Sequence, residues 1–255
     1  MARVAAIVNQ KGGVGKSTTA INLGAYLAQR GERVLLIDMD PQANATSGLG
    51  IGSNGELAGC MYDVLLDGRP LEEIIVSTAV ERLHIAPASI QLVGAEVELV
   101  SSLARELKLR RALEKLPEGR YERILVDCPP SLDLLTLNAL AAADEVLIPV
   151  QCEYYALEGL TQLMRSIRMV REELNPGLEI GGVLLTMFDA RTNLSRQVAE
   201  EVRSFFGGRV FKTVIPRSVR LSEAPSHGMP VSLYAPSSSG AEAYAAVAGE
   251  VLGGD

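Results

Sequence analysis

Apolar residues in this chain fall into short unbroken runs, and between the runs they recur at three- and four-residue intervals. The runs at 3–9, 34–37, 83–86, 123–127, 145–150 and 180–186 predict strands, with a shorter one at 210–215. Helical spacing covers 16–30, 61–67, 71–75, 90–116, 132–143, 157–174, 194–206 and 240–252. The 90–116 stretch is long enough for two helices with a bend, and 217–227 reads as loop or short helix. Residues 42–60 hold five glycines and no period, so a mobile surface segment is expected there.

Strands that are apolar at every position are covered on both faces, and here they alternate with helices. The expected fold class is therefore α/β: a three-layer, mostly parallel twisted sheet with helices on both faces. No linker or internal repeat divides the chain, so 1–255 is expected to be a single domain. In such folds ligands bind at the carboxyl ends of the strands. The loops at 12–17, 38–40 and 127–131 all follow strands and would converge there.

Composition narrows the function. With 47% apolar residues, four phenylalanines and no tryptophan among 255 residues, the core is aliphatic. A net charge of −7 excludes a protein coated in basic residues, though not a local basic patch. Cys60, Cys128 and Cys152 are odd in number and far apart, so neither a disulfide framework nor a zinc site is expected. No apolar run approaches the ~20 residues that span a bilayer. The final stretch is small and acidic, unlike a membrane-surface helix. The chain is expected in the cytoplasm.

The candidate chemistry starts at Lys11-Gly12-Gly13-Val14-Gly15-Lys16-Ser17-Thr18, between a strand and a helix. The end fits the phosphate-binding pattern G-x-x-x-x-G-K-S/T, but Gln10 stands where the first glycine belongs. Glycines let backbone N–H groups turn inward around phosphate oxygens, and the helix adds its positive end. Lys16 would reach the β- and γ-phosphates of ATP, and Ser17 would offer a hydroxyl to Mg²⁺. Asp127, at a strand end, alone would read as a cap on the next helix; beside the Lys16 loop it suits the same ion. Asp38 and Asp40 suit metal coordination and the orientation of a water, although Asp40-Pro41 could instead open a turn. Lys11 has no task in an ordinary phosphate loop. It could reach a nucleotide held by a facing subunit, or stand as a solvated lysine.

The Lys11–Thr18 stretch resembles the deviant Walker A motif of the ParA/MinD group of P-loop ATPases. Asp38-Met39-Asp40-Pro41-Gln42-Ala43-Asn44 and Val126-Asp127-Cys128-Pro129-Pro130-Ser131 resemble that group's switch segments. Three further stretches are similar to the ParA/Soj chromosome-partitioning branch: Pro149-Val150-Gln151-Cys152-Glu153-Tyr154-Tyr155-Ala156-Leu157-Glu158-Gly159, the 185–193 segment and the 215–228 segment. The resemblance implies an Mg²⁺-dependent ATPase that forms a homodimer on binding ATP, with Lys11 contacting the opposite subunit's nucleotide. It further implies that Asp40 positions the hydrolytic water, that Pro216 lies near the adenine, and that Arg191 and Arg220 contact double-stranded DNA without sequence preference. A ParB-like centromere-binding protein would stimulate hydrolysis, and the protein would be nucleoid-associated, with no membrane partner.

Local charge agrees with that implication: seven positive residues face four negative ones between Asp189 and Glu223. Arg196 and Arg203 could equally lie on solvated helix faces. Two competing readings are a MinD-like cell-division ATPase, which needs a membrane helix, and a metabolic ATP-dependent enzyme, which would not need Lys11.

Overall fold

A computed structural model describes residues 2–52, 57–153 and 156–253. Seven strands form one sheet: β1 (Arg3–Ile7), β2 (Val34–Asp38), β3 (Val76–Ser77), β4 (Leu83–Ala86), β5 (Arg123–Asp127), β6 (Glu145–Gln151) and β7 (Glu179–Thr186). Their order is β3-β4-β2-β5-β1-β6-β7, all parallel except the antiparallel edge strand β3. β1 therefore sits between β5 and β6, and the chain leaves it for β2 across β5. That reversal of direction makes a crevice at the carboxyl end of β1.

The helices are α1 (Lys16–Gln29), α2 (Asn44–Gly48), α3 (Met61–Leu65), α4 (Leu92–Leu99), α5 (Lys108–Leu113), α6 (Leu134–Ala142), α7 (Ala156–Glu173), α8 (Asn193–Phe206), α9 (Val219–Glu223), α10 (Val231–Tyr234) and α11 (Ser239–Val251). Along each central strand the side chains alternate between two cores. Ala5, Ile7, Leu36, Ile85 and Leu125 face the layer of α1 and α11. Val4, Ala6, Leu35, Ile37 and Val126 face the layer that α3 to α8 build. Both faces are dry, which is why these strands read as continuous apolar runs.

Three expectations change. The 42–60 segment is not irregular throughout: α2 forms in it, with Ala45, Thr46 and Leu49 buried. At Gly48 an added Cβ would come 2.6 Å from Ile21 Cδ1, so that methyl would have to move aside for any larger residue. Residues 53–56 lie outside the described residues. The 210–215 run is not a strand; it meets β7 at its two ends, where Val210 bridges Val183 and the Phe211 and Ile215 N–H groups donate to the Val183 and Leu185 carbonyls at 3.0 and 2.8 Å. Between those ends the pairing is interrupted, since the N–H groups of Lys212 and Thr213 donate to the Glu250 carboxylate at 2.7 and 2.9 Å. The Phe211 ring lies on Gly182, where a Cβ would collide with it. Finally, β3 has only two residues, too few to show a period. The bend expected in 90–116 lies between α4, which ends at Leu99, and α5, and includes Ala104 with a φ of 49°.

Candidate nucleotide site

The 12–18 loop wraps the carboxyl end of β1. Gly13 and Gly15 have φ values of 73° and 91°, a region that side chains resist, so the glycines here are set by the backbone path. Gly15 starts α1, whose first turn leaves its N–H groups directed at the crevice. Val14 is the loop's anchor: it is buried, and its carbonyl accepts from Thr186 Oγ1 at 2.8 Å. The loop is thereby tied to the end of β7 across the sheet.

Lys16 is 6% exposed. Its Nζ donates to the Lys11 carbonyl at 3.3 Å. Burial pulls its pKa down, partly offset by Asp127, Cys128 and Asp40. An ammonium held against a desolvation cost, with one weak backbone partner, is poised to take an anion.

The acidic side is built from neighbouring strand ends. Asp38 and Asp127 are directly paired in the β2–β5 register, and both are fully buried. Asp38 Oδ2 accepts from the Thr46 N–H at 2.8 Å and from Thr46 Oγ1 at 2.7 Å, and Oδ1 accepts from the Asp40 N–H at 3.1 Å. Desolvation pushes the Asp38 carboxyl up to about 6, against these bonds, which act to lower it. Neither oxygen of Asp127 has a partner of ordinary hydrogen-bond geometry. The Ser17 hydroxyl is near enough to lower its pKa, but burial and the Asp38 charge dominate and raise it well above the usual carboxylate range. Asp40 is also buried, and its Oδ1 accepts from the Gln42 N–H at 2.9 Å.

Three buried carboxylates therefore face one buried ammonium. Two orphaned oxygens on Asp127 beside the Ser17 hydroxyl make a hard, oxygen-only donor set, which fits Mg²⁺. Among the described residues no three His, Cys, Asp or Glu side chains form a ready cage. This suits an ion that takes one or two protein ligands and the rest from phosphates and water.

Over these groups opens a cleft of about 700 Å³. Gly12, Gly13, Gly15, Lys16, Ser17, Thr18 and Asp40 line it, together with Pro216, Arg217 and Ser218. Asp38 and Asp127 are fully buried and do not line it. Lys11 does not line it. Its Nζ is 3.2 Å from Glu153 Oε2, just past β6, and both side chains are roughly half exposed. Tyr154 and Tyr155, in the same stretch, lie outside the described residues.

Arg191 and Arg220 are well exposed, and each holds an acid of its own segment. Arg191 grips Asp189 through Nε and Nη2 at 2.9 and 2.8 Å, which lowers the Asp189 carboxyl to about 2. Arg220 Nη1 donates to Glu223 Oε2 at 2.8 Å. The Phe188–Pro216 bridge brings the two arginine-bearing segments together, and the segment that carries Pro216 lines the cleft.

Sequence reasoning missed Thr46, Thr186 and Tyr244. Tyr244 is buried on α11, shares a 3.1 Å hydrogen bond with Thr19, and borders the cleft. No local pattern marks these residues, because each acts through a partner at least eight residues away.

The chain is similar to known proteins along nearly its whole length. A family described as "AAA domain" matches residues 2–180. The sporulation initiation inhibitor protein Soj of Bacillus subtilis (strain 168) is 60% identical over 251 residues, 98% of each chain. The chromosome partitioning protein ParA of Myxococcus xanthus (strain DK1622) is 55% identical, over 98% of this chain and 88% of its own. A crystal structure of cobyrinic acid a,c-diamide synthase from Mycobacterium smegmatis, with bound ATP analogue and magnesium, is 39% identical. It superposes with a TM-score of 0.86 over 99% of this chain and 95% of that one.

Proposed function

We propose that this chain, which belongs to the Soj/ParA family of chromosome-partitioning ATPases, works as an ATP-gated switch for binding DNA. The observation that carries the reading is the meeting, at one strand edge, of the glycine loop with its buried Lys16 and the unpartnered carboxylate of Asp127. ATP lies with its phosphates over residues 12–18 and its base towards Pro216. Lys16 and the loop N–H groups hold the β- and γ-phosphate oxygens.

Ser17 and Asp127 would hold Mg²⁺, with Asp40 near and Asp38 supporting; the ion supplies charge neutralisation to the phosphates. Asp40 orients the attacking water and accepts its proton. Asp38, with its oxygens already engaged by Thr46 and Asp40, fixes the segment that carries Asp40.

Lys11 leaves Glu153 and crosses to the nucleotide of a second subunit. An exposed ion pair is worth only ~0–1 kcal/mol, so leaving it costs little. The homodimer unites two Arg191–Arg220 patches, which bind double-stranded DNA through its phosphates. Hydrolysis, stimulated by a ParB-like partner, removes the γ-phosphate and lets the dimer part. On this reading the protein is cytoplasmic and nucleoid-associated, and 1–255 acts as one ATPase domain. Among the described residues no helix is long and apolar enough to cross a membrane.

The test is size exclusion with and without Mg²⁺-ATP, followed by DNA binding of each species. A dimer that forms only with ATP, and alone binds DNA, is expected. DNA binding by a nucleotide-free monomer would overturn the switch. A second reading, an ATP-dependent synthetase, draws on the likeness to the mycobacterial synthase. ATP turnover that requires a small-molecule acid and an amide donor, and ignores DNA, would put it first.

A further inference from the structure

The helix α4 is apolar on two faces. Leu92, Ala95 and Leu99 are buried against the core. On the other side Ile90, Val93, Val97 and Val100 are 68%, 53%, 75% and 58% exposed, and Leu103 beyond them is 90% exposed. These are five of the eleven large apolar side chains exposed among the described residues. The helical turn runs on at both ends, from the Val93 N–H to Ile90 O and from the Val100 N–H to Val97 O. Positions 90, 93, 97 and 100 thus form one straight stripe. A helix that is apolar all round belongs in an interior, and here one side has no cover.

We propose that the exposed stripe of α4 is a self-complementary seam on which a second copy of this chain packs α4 against α4. The spacing of three, four and three residues is that of a two-helix seam, with β-branched side chains at every place. A two-fold axis sets the same patch against itself, so the patch must carry no net charge. This one meets that condition. Its nearest acids are turned elsewhere: Glu98 accepts from the Tyr62 hydroxyl at 3.1 and 3.2 Å, and Glu96 hydrogen-bonds Asp133. An unlike partner would have little here to recognise beyond grease.

The seam's size says when it forms. Five aliphatic side chains offer on the order of a few hundred Å² per copy. A stable pair needs ~800 Å² per partner, so the seam cannot hold two copies alone. It adds to a contact made elsewhere, and this rests on the ATP-dependent dimer proposed above. The connection to that site is direct. The Ala88 N–H, just before the stripe, donates to Thr46 Oγ1 at 3.0 Å, and Thr46 Oγ1 donates to Asp38. On the other flank Asp133, the partner of Glu96, caps α6 directly after the 127–131 segment. Both carboxylate-bearing segments of the site therefore brace α4.

The experiment is cysteine crosslinking of Val97→Cys with a short bis-maleimide, with Met169→Cys as the exposed control. The native cysteines are buried, so the introduced thiol is the reactive one. Val97→Cys should give a covalent dimer with Mg²⁺-ATP and far less without it, while Met169→Cys gives neither. In parallel, Val93→Glu/Val97→Glu should bind ATP as wild type by calorimetry and keep its melting temperature, with at least tenfold weaker dimerisation by analytical ultracentrifugation. If wild type dimerises with ATP and the double variant does so equally well, or Val97→Cys crosslinks no better than the control, the seam is wrong. If wild type stays monomeric with ATP, the dimer reading itself fails, and the seam with it.

Discussion

Asp38 and Asp127 stand side by side at the ends of β2 and β5, and only Asp38 is hydrogen-bonded. The difference separates two tasks that the sequence presents alike. Three donors hold Asp38 in place, so it is a fixed part of the wall. Asp127 keeps both oxygens unengaged in the same dry environment, which is costly for a carboxylate without a cation.

Asp127→Asn should therefore lose the stabilisation that Mg²⁺-ATP confers. A tight ligand at a hundred times its dissociation constant raises stability by about 2.7 kcal/mol, readable as a melting shift. For the variant, ATP is expected to give a shift that no longer responds to added Mg²⁺. A magnesium-dependent shift of wild-type size would remove Asp127 from the metal site.

Thr46→Val keeps the shape of its side chain and removes the hydroxyl that joins Asp38 to the Ala88 N–H. Both partners are then short of a bond in a buried setting. A loss of about 1–3 kcal/mol is expected by denaturant unfolding, with Thr46→Ser close to wild type.

The two lysines of the loop should separate cleanly. Lys16→Ala removes the buried cation, and a loss of ATP affinity of about a hundredfold or more is expected by calorimetry. Lys11→Ala, whose side chain lies on Glu153 outside the cleft, should leave monomer affinity within a few-fold of wild type and abolish the ATP-induced dimer in ultracentrifugation. Equal affinity losses for both would mean that Lys11 serves its own nucleotide.

Replacing Arg220 with alanine should reduce the salt dependence of DNA binding. Removing one phosphate-binding cation from each subunit lowers the slope of log K against log salt by about 2 for a dimer. The Arg220 pair with Glu223 has to open or share for the arginine to reach a phosphate, so Glu223→Gln is expected to bind DNA more tightly than wild type. Unchanged slopes in titrations from low to moderate salt would place the DNA elsewhere.

Glu96 gives a pH dependence. Burial and its hydrogen bond to Asp133 push its carboxyl up to about 7 in the folded protein, above the ordinary value of 4.5. The folded state then holds the proton more tightly than the unfolded one. The stabilisation is complete below about pH 4.5 and fades as pH rises through about 7. Glu96→Gln, which can donate the same bond without a proton to lose, should flatten the fall in stability between pH 5 and 8. Asp38 and Asp127 contribute slopes of the same sign, so the fall should diminish rather than vanish.

Much of this was legible from the chain alone because it is local. Dry strands announce themselves as apolar runs, and Asp38, Asp40, Asp127 and the Lys11–Ser17 loop all follow such runs. What escaped depends on bonds between distant residues. Thr46 lies in a glycine-rich stretch with no period, yet it folds into α2 because Asp38 takes its N–H and hydroxyl. Residues 210–215 have the composition of a strand, but Glu250, nearly forty positions on, claims the Lys212 and Thr213 N–H groups, and the run pairs with β7 only on either side of them. Periodicity reports what a segment could do; the competing donor or acceptor elsewhere decides.

Glu250 should also set how the molecule comes apart. From α11 it holds the backbone of Lys212 and Thr213, next to the wall that carries Pro216, and Tyr244 on the same helix holds Thr19 of α1. The helix α11 thus holds both α1 and the segment that leads to Pro216. In hydrogen exchange, 211–216 and 239–251 should open as one cooperative unit, and nucleotide should slow their exchange together although α11 offers the cleft little more than one tyrosine.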